Sequence, residues 1–452
     1  MIPENPGANR PMSEDSTVPT AAPTTEPSRT AILVAAFDSQ LKWAGTIRRA
    51  LQAQGFDCQV IVPSDIRHAI SDTQLEEYGG SSVQYLPWEE LVQLAFTVDA
   101  LVLAIQGPHV SRFMHDLFDA VQATGKQPPV TISGWVGVII EKITAGYLER
   151  YATDVVAVNS RSDLRTFEAV AGSLKLPTEN LLLSGLPLLT GGYHPVSEKP
   201  IRTVMFADQP TVPSGAADRL YLYRQLIEYA YAHPDRSVVL KPRHRIGEDT
   251  FHKMKFHPEK LLDGVEQPPN FAIDYTPISD RLADLDLMLT VSSTAALEAV
   301  GAGIRTAFIA DLDIREQLGN HIFLDSGLLR TFDQVQRDDI GKPSESWVDD
   351  YFFGTSGISP AEQIAVRALA LSQDTERTTP SAWDTDFFAS QHKLFEYRRA
   401  NKKVVPPIVT NWASRARPVA EWVLPAGVQR KIRRTIKRNR SAAAAARTPQ
   451  TP

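Results

Sequence analysis

Apolar residues arrive in short unbroken runs separated by stretches of helical spacing, and this alternation repeats along most of the chain. The first run, Ala31 to Phe37, contains no polar position, as expected of a central strand covered on both faces. A helical pattern follows through Leu41, Ala44, Ile47 and Leu51 and stops at Gly55. Further strands are predicted at Cys58–Val62, Val98–Ile105, the segment PPVTISGW, Thr153–Ser160 and Glu179–Pro187. A polar helix-like stretch reaching Tyr78 and a helix closed by Gly125 lie between them. The pattern breaks where Pro187, Gly191, Gly192, Pro195 and Pro200 crowd together, which predicts a linker. It then restarts with Ile201–Ala207, a helix through Leu220, Leu222, Leu226 and Tyr229, and strands at Phe271–Tyr275 and Arg305–Asp311. Strand–helix alternation of this kind predicts an α/β chain with two Rossmann-like, doubly wound domains.

Chemistry concentrates between Ser237 and Thr306. The apolar run Val238-Val239-Leu240 ends at Lys241-Pro242-Arg243-His244-Arg245, and a second run ends at Ser292-Ser293-Thr294 before a helix closed by Gly301 and Gly303. Ligands of open α/β sheets bind outside the carboxyl ends of the strands. One cationic end and one hydroxyl-rich end before a helix suit a phosphate-bearing ligand. The plainer alternatives are a solvated turn and a Ser/Thr cap with Glu298 favouring the helix dipole.

Composition narrows the picture. The 452 residues suffice for two domains and tails, with expected boundaries at 1–29 (disordered tail), 30–190, 191–200 (linker), 201–378, 379–410 (helical extension) and 411–452. A net charge of -6 gives no case for bulk nucleic-acid binding. Local charge differs: seven of the eleven residues from Arg430 to Arg440 are Arg or Lys, a pattern suited to an anionic membrane surface. The single cysteine, Cys58, reads as a small apolar filler, and no apolar run is long enough to span a bilayer. Without a signal pattern at the N-terminus, a cytoplasmic location is expected, peripheral to the membrane if the basic tail binds there. No HExxH, Cys/His spacing, P-loop or GxGxxG is present, and Asp284 and Asp286 sit in apolar surroundings that suggest capping, so no metal site is expected.

The segments LKPRHR, ISDRLADLDLMLTVSSTAALEA and LLLSGLP, set in two similar domains, resemble GT-B-fold bacterial capsule and surface-polysaccharide transferases, a group with polysialyltransferase-like and polyol-phosphate transferase-like members. The resemblance implies a glycosyltransferase using a nucleotide-activated sugar, without metal or other cofactor, on a polysaccharide or lipid-linked glycan. In that frame Lys241, Arg243, Arg245, Ser292, Ser293 and Thr294 hold the donor phosphates, Glu298 takes the ribose hydroxyls, and His244 donates to the leaving phosphate. Asp38 is the expected base, with His109 (in Gly107-Pro108-His109) as the alternative; a helix cap is the plainer reading of Asp38. Lys42 and Trp43 fall on the acceptor side, Trp43 as a platform for a sugar ring, with Ser133-Gly134-Trp135 a weaker acceptor candidate. In the resembled group His directly precedes Pro; here Pro242 precedes Arg243 and His244, whereas His257-Pro258 has the dipeptide without a preceding strand. His194-Pro195 lies in the linker and reads as structural. Competing expectations are transfer of a polyol phosphate from a CDP donor, a nucleotide-sugar 2-epimerase, and a non-catalytic scaffold in polysaccharide assembly.

Overall fold

In a computed structural model, the described residues are 29–401 except 69, 71–74, 76–82, 141, 190–191, 248–253 and 354–357. The N-terminal and basic tails, His252 and most of the helix-like stretch before Tyr78 lie outside them.

Two parallel sheets form, each built by strand–helix units. The first contains β1 (Arg29–Val34), β2 (Phe56–Pro63), β3 (Val83–Leu86), β4 (Ala100–Leu103), β5 (Val130–Ser133), β6 (Val155–Val158) and β7 (Leu181–Leu183), in the order β3-β2-β1-β4-β5-β6-β7. The second contains β8 (Thr203–Ala207), β9 (Ser237–Lys241), β10 (Phe271–Ile273), β11 (Leu287–Thr290), β12 (Arg305–Ile309) and β13 (Leu329–Arg330), in the order β10-β9-β8-β11-β12-β13. Both orders reverse beside their first strand, between β1 and β4 and between β8 and β11, and that switch point is where a crevice opens.

The apolar runs are buried on both faces. Ile32 and Val34 pack into one core, whereas Ala31, Leu33 and Ala35 pack into another on the opposite face, following the two-residue period of a strand. Helices cover both faces: α1 (Asp38–Ala53), α2 (Trp88–Leu94), α3 (Gly107–Thr124), α4 (Ile143–Leu148) and α5 (Arg161–Leu174) in the first layer. The second layer has α6 (Ala216–Ala232), α7 (Pro258–Leu261), α8 (Ile278–Arg281), α9 (Ala295–Gly301), α10 (Phe332–Gln336) and α11 (Glu345–Tyr351). Two later helices, α12 (Pro360–Gln373) and α13 (Asp386–Ala400), follow.

The strands are shorter than the apolar runs that announce them, because Ala35 to Phe37 and Ala104 to Ile105 remain buried after the ladder ends. Edge strands β3 and β13 escaped the sequence pattern: β3 is half exposed and carries Gln84, and β13 has two residues. Helix α12 departs from the expected extent of the second domain. It opens with a capping box between Ser359 and Glu362, then buries Ala361, Ile364, Ala365 and Ala368 in the first layer's core beside Leu41, Trp43 and Ile47. Its apolar face fits the uncovered side of α1, so the chain returns to the layer where it began.

A buried ion pair fixes that return. Arg377 donates from Nε and Nη2 to Asp154 at 2.9 Å each, while Asp154 also accepts from the Thr131 amide at 2.8 Å. Both side chains are under a tenth exposed. Arg377→Ala leaves a buried carboxylate unpaired and should cost about 3–5 kcal/mol in denaturant unfolding.

The layers are also joined where the Ser162 amide and Arg165 reach Asp350 at 2.7 and 3.8 Å. Beside them burial, reinforced by Asp350, pushes the Asp163 carboxyl up to about 6, against a hydrogen bond from Ser160. A folded pKa above the unfolded value means that its contribution is complete below about 4 and is lost as pH rises through about 6. Asp163→Asn should therefore match wild type near pH 4 and melt higher than wild type at pH 7.5.

Candidate active site

Asp38 and Lys42 lie one turn apart on α1, directly after the carboxyl end of β1. Phe37 occupies the cap position and Asp38 is the first helical residue, so the cap reading of Asp38 is not realised. Across from them stand Glu298 on α9 and Arg243 after β9. Lys42 Nζ lies 3.6 Å from Glu298 Oε2, joining the two layers. Burial pushes the Glu298 carboxyl above the usual range and Lys42 pulls it back. Arg243 is open to solvent yet enclosed by protein in the cleft: desolvation lowers its pKa, and the Asp38 carboxylate opposes that shift. Two acid–base couplings thus cross the cleft, Asp38 toward Arg243 and Lys42 toward Glu298. The layers also approach closely at Gly137, where a Cβ would stand 2.9 Å from Thr294 Oγ1.

The remaining expected site residues divide. Lys241 is buried, and its ammonium donates to the Pro242 carbonyl at 3.2 Å. His244 and Arg245 turn away from Arg243 and line a cavity of about 190 Å³ with Lys255, His257 and Lys260. Arg245 stacks over the Tyr275 ring at 4.2 Å, and the His244 carbonyl meets His257 Nε2 at 3.1 Å. The loop after β9 therefore points its cations in two directions, where the sequence suggested one cluster. His257 caps α7, its ring accepting from the Glu259 amide at 3.3 Å.

Ser292 corrects another expectation. Its hydroxyl donates to the Leu318 carbonyl at 2.6 Å and sits 3.0 Å from the Gln209 amide oxygen, so it braces the switch point between β8 and β11 instead of facing the cleft. Ser293 Oγ accepts from the Ala295 amide at 3.3 Å, an ordinary start for α9. Gly303, at φ +73, ends that turn and lets the linker pass, with the Ser197 amide donating to its carbonyl at 2.8 Å. Trp43 is fully buried and packs near Gly134, so it cannot stack on a sugar ring; its side chain fills the core beneath β1 and β5. Ser133 likewise is buried against Thr153 at 2.8 Å. His109 rests 6.0 Å from the Trp88 ring; burial lowers its pKa, Arg112 adds to this, and Asp65 opposes it.

Glu149 and Arg150 were not legible in the sequence. They gather at the carboxyl ends of β4 and β5: Arg150 donates to the Gly134 carbonyl at 2.8 Å and the Gly146 carbonyl at 3.0 Å. Its guanidinium lies 4.5 Å from the Trp135 ring, and burial pulls its pKa down to about 10 against Glu149. Glu149 is itself raised by burial, against Arg150 and Lys142, and its carboxylate abuts Gly107. Loop residues joined only by sheet order carry no local signal for this.

Residues 31–371 match the family model described as "Putative glycosyltransferase (DUF6716)", and the chain belongs to that family. A sequence search of curated proteins gives no match. Among solved structures, the UDP-GlcNAc 2-epimerase of Methanocaldococcus jannaschii, in complex with UDP-GlcNAc and UDP, is similar at TM-score 0.48 and 10% identity over 76% of this chain and 99% of its own. A UDP-glucosyltransferase from Polygonum tinctorium capable of glucosylating indoxyl is similar at 0.44 and 13% over 82% and 100%. Likeness at this level carries no statement about activity. No helix among the described residues is long and apolar enough to cross a membrane.

The close approach at Gly137 is testable. Gly137→Ala should destabilise by about 1–3 kcal/mol through overpacking against Thr294. In a double-mutant cycle with Thr294→Ala most of that loss should be recovered.

Proposed function

We propose that this chain transfers a sugar from a nucleotide-sugar donor to a hydroxyl of a surface or capsular glycan. The observation that carries the reading is the charge arrangement across the cleft: a carboxylate, Asp38, on one layer faces a guanidinium, Arg243, on the other, at the carboxyl ends of two doubly wound sheets. Membership of a family described as glycosyltransferases supports it.

In this mechanism the acceptor oxygen attacks the anomeric carbon while Asp38 takes its proton. The bond from that carbon to the phosphate oxygen breaks, and its electron pair leaves with the nucleotide. Arg243 offsets the charge growing on that phosphate. Glu298 accepts from the donor's sugar hydroxyls once Lys42 turns to the phosphates, so donor entry exchanges an internal ion pair for contacts with ligand. Arg150, buried and bonded to the Gly134 and Gly146 carbonyls, holds the loops at the ends of β4 and β5 on the acceptor side.

A nucleotide panel (CMP, CDP, UDP, UMP, GDP) in thermal-shift measurements should yield one stabilising member, since a ligand of the folded state raises the melting temperature. Arg243→Met should abolish that shift. With the matching nucleotide-sugar and a glycan acceptor, Asp38→Asn should lower kcat by about 10²–10⁴-fold at nearly unchanged donor affinity. Nucleotide release without any glycan would favour the epimerase, release of a nucleoside monophosphate with a polyol phosphate on the acceptor would favour the phosphotransferase, and no binding by any nucleotide would leave the scaffold.

A further inference from the structure

Helix α13 docks on α3 of the first layer through a cluster that glycosyl transfer does not use. His115 and Asp119 lie four residues apart on α3, and His392 and Glu396 four apart on α13, so each pair shares a helix face. His392 Nε2 is 3.0 Å from Asp119 Oδ1, and one ligand atom each from Asp119, His392 and Glu396 lies within 4.8 Å of the others. The other imidazole nitrogen, Nδ1, meets His115 Nδ1 at 3.2 Å. Arg399 takes the second Asp119 oxygen, Oδ2, at 3.1 Å and also reaches Asp116 at 3.4 Å, while Arg112 pairs with Asp116 at 3.3 Å.

We propose that Asp119, His392 and Glu396 bind a divalent transition-metal ion, with zinc the best match, and that this ion clamps α13 to the first layer. One imidazole and two carboxylates form a donor set that suits zinc, with a water completing four-coordination. The charge balance favours a cation: Asp116, Asp119 and Glu396 outnumber Arg112 and Arg399 by one. Each inner ligand also has an outer partner. His115 bonds the imidazole nitrogen turned away from Asp119 and fixes the ring's orientation, and Arg399 holds the carboxylate oxygen that the ion does not need. His115 is itself held between the rings of Phe388 and Phe395, at 5.2 and 4.7 Å, so the support is rigid. Glu396 is exposed, so its carboxylate can reach the ion from the solvent side.

The test uses the full chain freed of metal with a chelator. Zinc is titrated against a chromophoric chelator, and cobalt(II) is followed by its visible ligand-field bands. Wild type should take one equivalent at this site and gain thermal stability. Glu396→Gln, at an exposed position that does not threaten folding, and His392→Asn should each weaken that equivalent by about 100-fold or more and remove the zinc-dependent rise in melting temperature. His115→Phe, which keeps the ring stack, should weaken it by about 10–100-fold, the range for an outer partner. Absence of a zinc equivalent in wild type, or a loss below tenfold in both Glu396→Gln and His392→Asn, would falsify the site; a proton then joins His392 to Asp119 and the helix docks without metal.

Discussion

Each parallel sheet is covered on both faces, so its central strands carry mostly apolar side chains, and the charged residues are pushed to where the strands end. The strand order then places those ends beside a switch point in each layer. Asp38 follows β1 and Arg243 follows β9 for this reason. Arg219 with Asp208, a fully buried pair joined at 2.9 Å just past β8, shows how much structure is spent on the second switch point. Such a pair contributes little net stability, but removing one partner would strand the other, so the end of β8 is held in a single geometry.

What crosses the cleft is charge in alternating sense. Lys42 and Glu298 are only partly buried and stand 3.6 Å apart, so this single long pair is too weak to lock two layers together. In the proposed mechanism its role is exchange: a pair of that strength can be replaced by ligand contacts at small cost. The firm connections lie elsewhere, in the return of α12 onto α1, in the clamp of Arg377 on Asp154, and in the joint at Asp350. Separating permanent joints from replaceable ones lets the layers stay joined while the cleft exchanges its contents.

The α13 seam follows the same logic at larger scale. A helix with little amphipathic contrast, burying only Phe388 fully, needs more than apolar area to stay docked. The rings of His115, Phe118 and Trp383 stack around Phe388 and His392, and the charged cluster sits at their edge.

Much of the fold was legible because burial leaves a periodic trace. Ala31 to Phe37 and, after Asp99, Ala100 to Ile105 announce strands by lacking polar positions, and Leu41, Ala44 and Ile47 announce α1 by helical spacing. Short edge strands leave no such trace, which is why β3 and β13 were missed. Within the site, Asp38 and Arg243 could be named as candidates because each follows an apolar run, although a cap or a solvated turn would leave the same trace. Trp43 and Ser292 misled for the converse reason: one helical turn or one residue changes which way a side chain points, and spacing does not record that. His115 and His392 lie 277 positions apart, and no local pattern connects them.

The sequence by itself determined two doubly wound layers and the strand ends where chemistry collects, since hydrophobic period depends only on neighbours along the chain. Tertiary structure alone decided which charges meet across the cleft, which way the cations after β9 point, and which layer claims α12, since each depends on two distant surfaces coming into register.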